Sequence, residues 1–582
     1  MSGDFFDQEA VINAICEQSE HGLNGTRRAQ QRRRIAPWLA MISAVAGVLL
    51  LAAPRVPLGV SGEWVWTRHD LPVSMLEWCD RLLAPVTGAL LVMGTAVAGE
   101  RVLRKSGFLR SAGMLLLLIL TSLIWQRLVL MAAPSPHREI KPLWINYDKY
   151  ASGYFFEAAF RMHSAASLLV GYEDRMREGD VLHVGTHPPG LFLFSWCALQ
   201  ATARSPTLVR ILEVTRDRTS ESLFREIESR AGLARPLYRT ELAALQLMAA
   251  VTQLSIAAAG VPLFLLAMRA YDRLTSWRVA CCLVTIPGVL VFFPKSDVLY
   301  LLTMTSFLWL AVTSLTVPAV WSLWLSAAGA GVVLCGCLLL SLAHLPGVAA
   351  VVLFAVLQHA TAVDGRTGPR RSRMTEFAAL LRPGRKTGAL VILFGTFLLT
   401  VVVWNVTTNC QLFRVWQLNL TNHAGFYQQS PRTWWKWLLL NPLELGFAAG
   451  LPLSVIALAG GLGAVGRVSG RAVALRKCAD RDLSGLLQAS VGDCLTTALF
   501  LTWMLLWLSG KNLGEAARLW CFLTPWVTMA AAGSDAGRRS PADCGKGLDA
   551  PAKFGITPWR LLLLLQLITA IATVGRVNGF SV

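Results

Sequence analysis

Apolar runs separated by short polar connections fill almost the whole length of this 582-residue chain. They fall near 36–54, 82–99, 112–132, 187–203, 242–268, 279–294, 297–316, 319–342, 344–361, 388–404, 438–460, 495–509, 518–533 and 559–576. Most approach the ~20 residues a helix needs to cross ~30 Å of hydrocarbon. Lipid offers backbone groups no partner outside a helix. The pattern predicts an all-α, polytopic membrane protein of about 12–14 transmembrane helices, with no appended soluble domain and no internal repeat.

One polar piece interrupts this pattern. Between two apolar runs, Pro134–Thr186 carries seven acids (Glu139, Asp148, Glu157, Glu173, Asp174, Glu178, Asp180) against six basic residues. Within it, Tyr150–Leu169 has amphipathic helical spacing, which predicts short helices lying on a membrane surface. It ends in His183-Val-Gly-Thr186-His187-Pro-Pro-Gly190. Two prolines fix φ and keep the residue before them extended, so His187 stands at a rigid entry to the next run. The bland reading is a helix start, which explains Pro188 and Pro189 but not Thr186 or His187.

Composition fits a membrane protein: 54% of residues are apolar and only 15% charged. The net charge of +19 comes from basic residues gathered in the connections. They cluster at Arg27–Arg34, Arg101–Arg110, Arg204–Arg239, Arg366–Lys386, Arg467–Arg481 and Arg538–Arg560. This distribution orients a membrane protein rather than binding nucleic acid, and it expects those segments and the N-terminus in the cytoplasm. The Pro134–Thr186 loop lacks the bias and is expected outside, with 55–81, 405–437 and 509–517. Counting every run as a crossing then puts Arg366–Lys386 on the wrong side. One run between 279 and 361, broken at Pro287, Pro294 or Pro346, is therefore expected not to cross. Cys79 and Cys410 fall in outside loops and are a candidate disulfide; the other cysteines read as buried apolar residues.

Several polar groups merit chemistry. Asp148 suits either a helix cap or a functional carboxylate. Glu157 and Arg161, at i and i+4, suit a local pair. His183 and His187 invite a metal, although an extended segment does not set them on one face. Lys295 and Asp297, in Phe293-Pro-Lys-Ser-Asp-Val-Leu-Tyr300, and Glu444, in an apolar run, are costly at membrane depth unless partnered. Arg432, Lys511, Glu515 and Arg518 stand at the ends of late runs. Glu63 and Asp70 are further carboxylates in the first outside loop.

An apolar span, an outside loop opening with an acid near aromatic residues, short amphipathic helices and a span beginning His-Pro-Pro resemble the GT-C superfamily of membrane glycosyltransferases. The nearer likeness is to its protein-mannosyltransferase and aminoarabinose-transferase branch. The resemblance implies a GT-C-like core over 112–533, with the loop at 134–186. A basic tail at 1–35, an added helix pair at 36–111, and a linker with a last helix at 534–582 flank it. It further implies transfer of a sugar from a polyprenyl-phosphate donor to an extracytoplasmic glycan, lipid or protein, in a multi-pass inner or plasma membrane setting. Asp148 best fits the family's catalytic acid, although a lone acid stands here where the family has a pair. Glu139 and Glu157 are its rivals. His187 is then expected to orient that acid or contact the donor phosphate. Glu157, His183, Thr186, Lys295, Asp297, Arg432, Glu444, Lys511, Glu515 and Arg518 are expected to line the substrate site. No cofactor is indicated, and a divalent metal is left open. A transporter or flippase for a lipid-linked or anionic solute, and a non-catalytic scaffold keeping the fold, are the competing readings.

Overall fold

The computed structural model describes residues 35–178, 183–230, 235–361, 384–477, 490–536 and 557–580. The Arg27–Arg34 cluster, Asp180 and most of Arg366–Lys386 lie outside them. Among the described residues eleven helices are long and apolar enough to cross a membrane, so the chain is a helical, multi-pass membrane protein. The described strands are three short ones.

The chain enters through α1 (Ile35–Ala52) and turns in a hairpin of β1 (Leu58–Val60) and β2 (Trp64–Arg68). It returns through α2 (Met75–Val102), whose first turn is capped by the Ser74 side chain, and rises again in α3 (Phe108–Leu130). Four short helices build the polar loop: α4 (His137–Tyr147), α5 (Tyr154–Phe160), α6 (Ala165–Val170) and α7 (Tyr172–Arg177). They do not float on the surface. Ile145, Tyr154, Phe155, Tyr172 and Met176 are each buried against the bundle.

After the proline junction come α8 (Gly190–Arg204), α9 (Pro206–Val214) and α10 (Arg218–Arg230). Next are α11 (Arg239–Ala258) and α12 (Gly260–Ala270), which make one span. Gln253 of α11 bonds the Leu123 carbonyl and Arg127 of α3, while Gly260 packs on Leu118. The α11–α12 span therefore runs antiparallel to α3, and Arg239 lies at the loop end. Tyr147 of α4 stacks edge-on against Phe224 of α10 at 5.1 Å, and the Arg235 guanidinium lies 5.0 Å from the Phe160 ring.

These contacts correct two expectations. The Arg204–Arg239 segment shares an end with the Pro134–Thr186 loop, and the run at 187–203 does not cross the bundle. At 15 residues α8 is about 22 Å long, short of the hydrocarbon thickness. The charge count misled because it ignores acids. Here Arg216, Arg225, Arg230, Arg235 and Arg239 pair with Glu221, Glu228, Glu226, Glu241 and Glu213. Removing 187–203 from the crossings also settles the topological conflict, so no run between 279 and 361 need turn back.

That middle region does break at its prolines, yet it traverses. Asp272 caps α13 (Arg273–Val284), and α14 (Pro287–Phe292) follows. Arg278 pairs with Glu100 at one end, while the Val291 carbonyl accepts from Lys141 of α4 at the other. A 3-10 turn (Ser296–Leu299) leads into α15 (Tyr300–Thr316), followed by α16 (Val320–Leu340) and α17 (Leu345–Ala360). Then come α18 (Arg385–Thr408), α19 (Leu412–Gln429), α20 (Trp434–Ala449) and α21 (Leu451–Lys477). The last passages are α22 (Val491–Leu508), the pieces α23 (Ala516–Leu519) and α24 (Thr524–Ala536), and α25 (Pro558–Arg576). The chain then pairs β3 (Val577–Asn578) antiparallel to β2. Among the described residues, α13–α14 and α23–α24 also pass between the two ends, beside the eleven longer helices.

Candidate functional site

All four segments expected outside converge at one end of the bundle. Glu63, at the tip of the hairpin, accepts from the Thr433 hydroxyl (2.6 Å) and amide (2.9 Å) and from Trp437 Nε1 (2.7 Å), with Lys436 Nζ at 3.2 Å. The Thr433 hydroxyl, followed by the other donors, outweighs burial and holds this carboxyl down at about 2. From α19, Asn422 donates to the Met176 and Gly185 carbonyls, Asn419 donates to the Thr186 carbonyl, and the Gln411 amide reaches Glu173. Glu63 is thus a clamp between two segments. Cys79 and Cys410 are both free thiols.

Under this convergence lies a buried cluster of charge. Glu515 bridges two guanidinium groups, Arg518 at 2.7 Å and Arg432 at 3.1 Å. Glu515 adopts φ 55° and follows Gly514 at φ 86°, so two consecutive residues occupy the left-handed region. Such backbone costs of order 1–3 kcal/mol for a residue other than glycine and is kept where geometry demands it. A Cβ on Gly514 would stand 2.4 Å from Arg432 Nη1, so only glycine lets the guanidinium in. Asn441 fixes the same turn by donating to the Asn512 carbonyl and accepting from the Gly514 amide.

Asp297 completes the cluster. Its Oδ2 stands 3.8 Å from Arg518 Nε, too far for a hydrogen bond, and both atoms are buried without a hydrogen-bond partner among the described residues. Lys295, two residues earlier, donates to the Ala151 carbonyl of the polar loop and lies 5.8 Å from the Tyr154 ring. Burial and the nearby Arg518 push the Lys295 ammonium down to about 8, with Asp297, Glu515 and Asp148 opposing. Glu444 takes Trp66 Nε1 at 3.2 Å and the Ala517 amide at 3.3 Å. Glu444, Trp66 and Ala517 also wall a cavity of about 220 Å³, otherwise apolar and lined by Leu50, Phe292 and Leu443 among others. The cavity and the charges thus share a wall.

The structure therefore unites Lys295, Asp297, Arg432, Glu444, Glu515 and Arg518, residues spread over more than two hundred positions. Other expected residues land differently. Asp148 ends α4 and accepts the amides of Tyr150 (3.2 Å) and Ala151 (3.1 Å), shaping the turn that aims the Ala151 carbonyl at Lys295. It takes the capping position, and no contact joins it to His187. Glu157 pairs with Arg161 at 2.7 Å. Lys511 is exposed on the 509–515 turn.

His187 packs edge-on against Tyr154 at 5.4 Å and faces the Thr186 hydroxyl at 3.1 Å; its carbonyl accepts from the Tyr172 hydroxyl. Burial, then His183, Lys295 and His423, push its imidazole well below the ordinary value. A neutral imidazole meets a phosphate only as a hydrogen-bond donor. His183 Nε2 lies 2.6 Å from the Lys149 carbonyl. Among the described residues no group of three or more His, Cys, Asp or Glu side chains is placed to hold a metal ion.

Sequence reasoning gave no site role to Trp66, Tyr154, Tyr300 and Phe580. Tyr300 lay in the quoted Lys295–Tyr300 motif. Trp66 carried only an aromatic signal shared with many belt residues, and Phe580 carried none.

No family model and no curated protein matches this chain. The functional reading therefore rests on the site itself.

Proposed function

We propose that the chain is a membrane glycosyltransferase that moves a sugar from a polyprenyl-phosphate donor to an acceptor hydroxyl at the loop end of the bundle. The observation carrying this reading is the open pair of Asp297 and Arg518. A buried acceptor and a buried donor face each other at 3.8 Å without bonding. Leaving such groups unsatisfied costs of order 1–3 kcal/mol each, more when charged, which a ligand offering both a hydroxyl and an anionic oxygen would recover. A glycosyl phosphate beside an acceptor hydroxyl offers both.

In this reading Asp297 is the general base. The acceptor oxygen attacks the anomeric carbon, its proton passes to Asp297, and the bond from that carbon to the phosphate oxygen breaks with its electron pair leaving on phosphate. Arg518 and Lys295 meet the growing phosphate charge with donors fixed before the reaction begins. Glu515 holds Arg518 and Arg432 in register. Asp148 positions Lys295 through the Ala151 carbonyl rather than touching the reacting atoms. The apolar cavity beside Glu444 suits the hydrocarbon of a lipid-linked substrate.

The test is reconstitution of the full chain in liposomes containing a polyprenyl-phosphate sugar and a hydroxylated acceptor. The reading expects free polyprenyl phosphate and glycosylated acceptor in equal amounts. Movement of the intact donor between leaflets, with no bond broken, would support the flippase instead.

A further inference from the structure

The segment 576–580 comes back to the charge cluster. Arg576, ending α25, donates to the His69 and Leu51 carbonyls, and the His69 amide returns a bond to the Arg576 carbonyl at 2.8 Å. β3 then pairs with β2, matching Asn578 to Thr67 and Val577 to Arg68. Gly579 packs tightly on Val291 and Phe292; a Cβ there would meet the Val291 carbonyl oxygen at 2.9 Å. The turn is closed by the Phe580 amide donating to Asn578 Oδ1 at 3.2 Å.

This anchoring delivers the Phe580 ring to 5.9 Å from Lys295 Nζ and 5.9 Å from the Arg518 guanidinium carbon. The ring also rests against Phe292 at 6.2 Å, which in turn packs on Trp66 at 5.1 Å. Two like charges held near each other in a buried place repel. An aromatic ring within reach of both attracts both without supplying a carboxylate that would close the site.

We propose that Phe580 is a positioning residue, a wall of the site that holds Lys295 and Arg518 apart and directed at one anionic group of the substrate. It deepens the lipid-phosphate reading and rests on it for the identity of that group. It also explains why the hairpin of the N-terminal helix pair is bound to the far end of the chain: β2 is the template that places β3, and β3 places the ring.

The test compares Phe580→Ala, Phe580→Leu and Phe580→Trp in the full chain, each checked for an unchanged melting temperature. Two measurements are made: KM and kcat for a polyprenyl-phosphate sugar, and the pH profile of Lys295 acetylation read by mass spectrometry. Loss of a cation–aromatic contact predicts KM up about tenfold in the Ala and Leu variants, with kcat changed less than about threefold. In both variants Lys295 acetylates faster and with a shifted pH profile, whereas Trp preserves wild-type behaviour. A Leu variant that matches wild type shows that bulk alone matters and overturns the proposal, as does unchanged Lys295 reactivity in the Ala variant. The acetylation profile needs no substrate. If wild type transfers no sugar, it still decides whether Phe580 governs Lys295, and only the lipid-phosphate reading falls.

Discussion

The two ends of the bundle treat buried charge differently. At the end away from the loop, Glu100 is gripped by Arg278 at 2.7 Å and Arg560 at 2.9 Å, one guanidinium on each carboxylate oxygen. Nearby, Arg467 meets Asp493 at 2.8 Å. Glu100 is a closed pair: it ties together helices from distant parts of the chain, and both its oxygens are in use. Asp493 joins the consecutive helices α21 and α22, with Arg471 standing 3.7 Å from its second oxygen. At the loop end, Glu515 is closed in the same manner, but Asp297 and Arg518 stop 3.8 Å apart. A closed pair fastens a fold. An open one, beside a strained turn and an aromatic ring, is in our proposal kept for a ligand. On that proposal the contrast separates structural from functional charge, since burial alone is common to both.

Breaking a closed pair should be the larger blow to stability. Glu100→Gln leaves two guanidinium groups facing each other with no counter-charge, and roughly 3 kcal/mol of stability should be lost. Thermal melting in detergent with a fluorescent thiol probe reads this, and an unaltered melting temperature would erase the distinction between the two ends.

Asp148→Asn sharpens the comparison from the other side. Asn keeps one acceptor for the turn, so turnover should drop by about tenfold or less, through weaker placement of Lys295. A collapse of turnover by several orders of magnitude would return Asp148 to the role of base that the family resemblance implied.

The smallest effect concerns the docking of the hairpin. His69 and His137 stack at 4.5 Å, and burial foremost, with Lys141 adding to it, depresses their imidazoles to about 4 and about 2 from 6.5. Their contribution is complete above pH 6.5 and is lost as the pH falls toward those folded values. Glu63 adds to the same direction of change: its contribution, present above 4.5, is lost as the pH falls through about 2. At pH 6 the docking should weaken by about 1 kcal/mol, seen as faster hydrogen exchange of 58–68 and 577–578 relative to α13. Uniform exchange across these segments on acidification would refute it.

Much of the fold was legible because lipid permits few solutions. The runs from 279 to 361 were found at their places, although none turns back as one was expected to, and the four loops expected to share a side do meet. The exception, α8, was missed because length and hydropathy cannot tell a helix that crosses from one that stops short. Its arginines added to the error, since their glutamate partners do not enter a count of positive charge. For the site, the costly residues were visible one by one: Lys295, Asp297 and Glu444 stand out in apolar surroundings. Their assembly with Glu515, Arg518 and Arg432 is tertiary and leaves no periodic trace. Asp148 was visible both as a capping residue and as a carboxylate near a family position, and its two backbone amides place it in the capping position. Phe580 depends on strand pairing across more than five hundred residues, and no local pattern announces that.

The central claim is that the open pair serves a ligand and the closed pairs serve the fold. Asp297→Asn tests it most directly, measured in one preparation for melting temperature and for release of polyprenyl phosphate. The account predicts a melting temperature within about 2 °C of wild type and turnover reduced by roughly 10²–10⁴-fold, the range for losing a general base. Wild-type turnover together with a large fall in melting temperature would make Asp297 another structural acid and contradict the account.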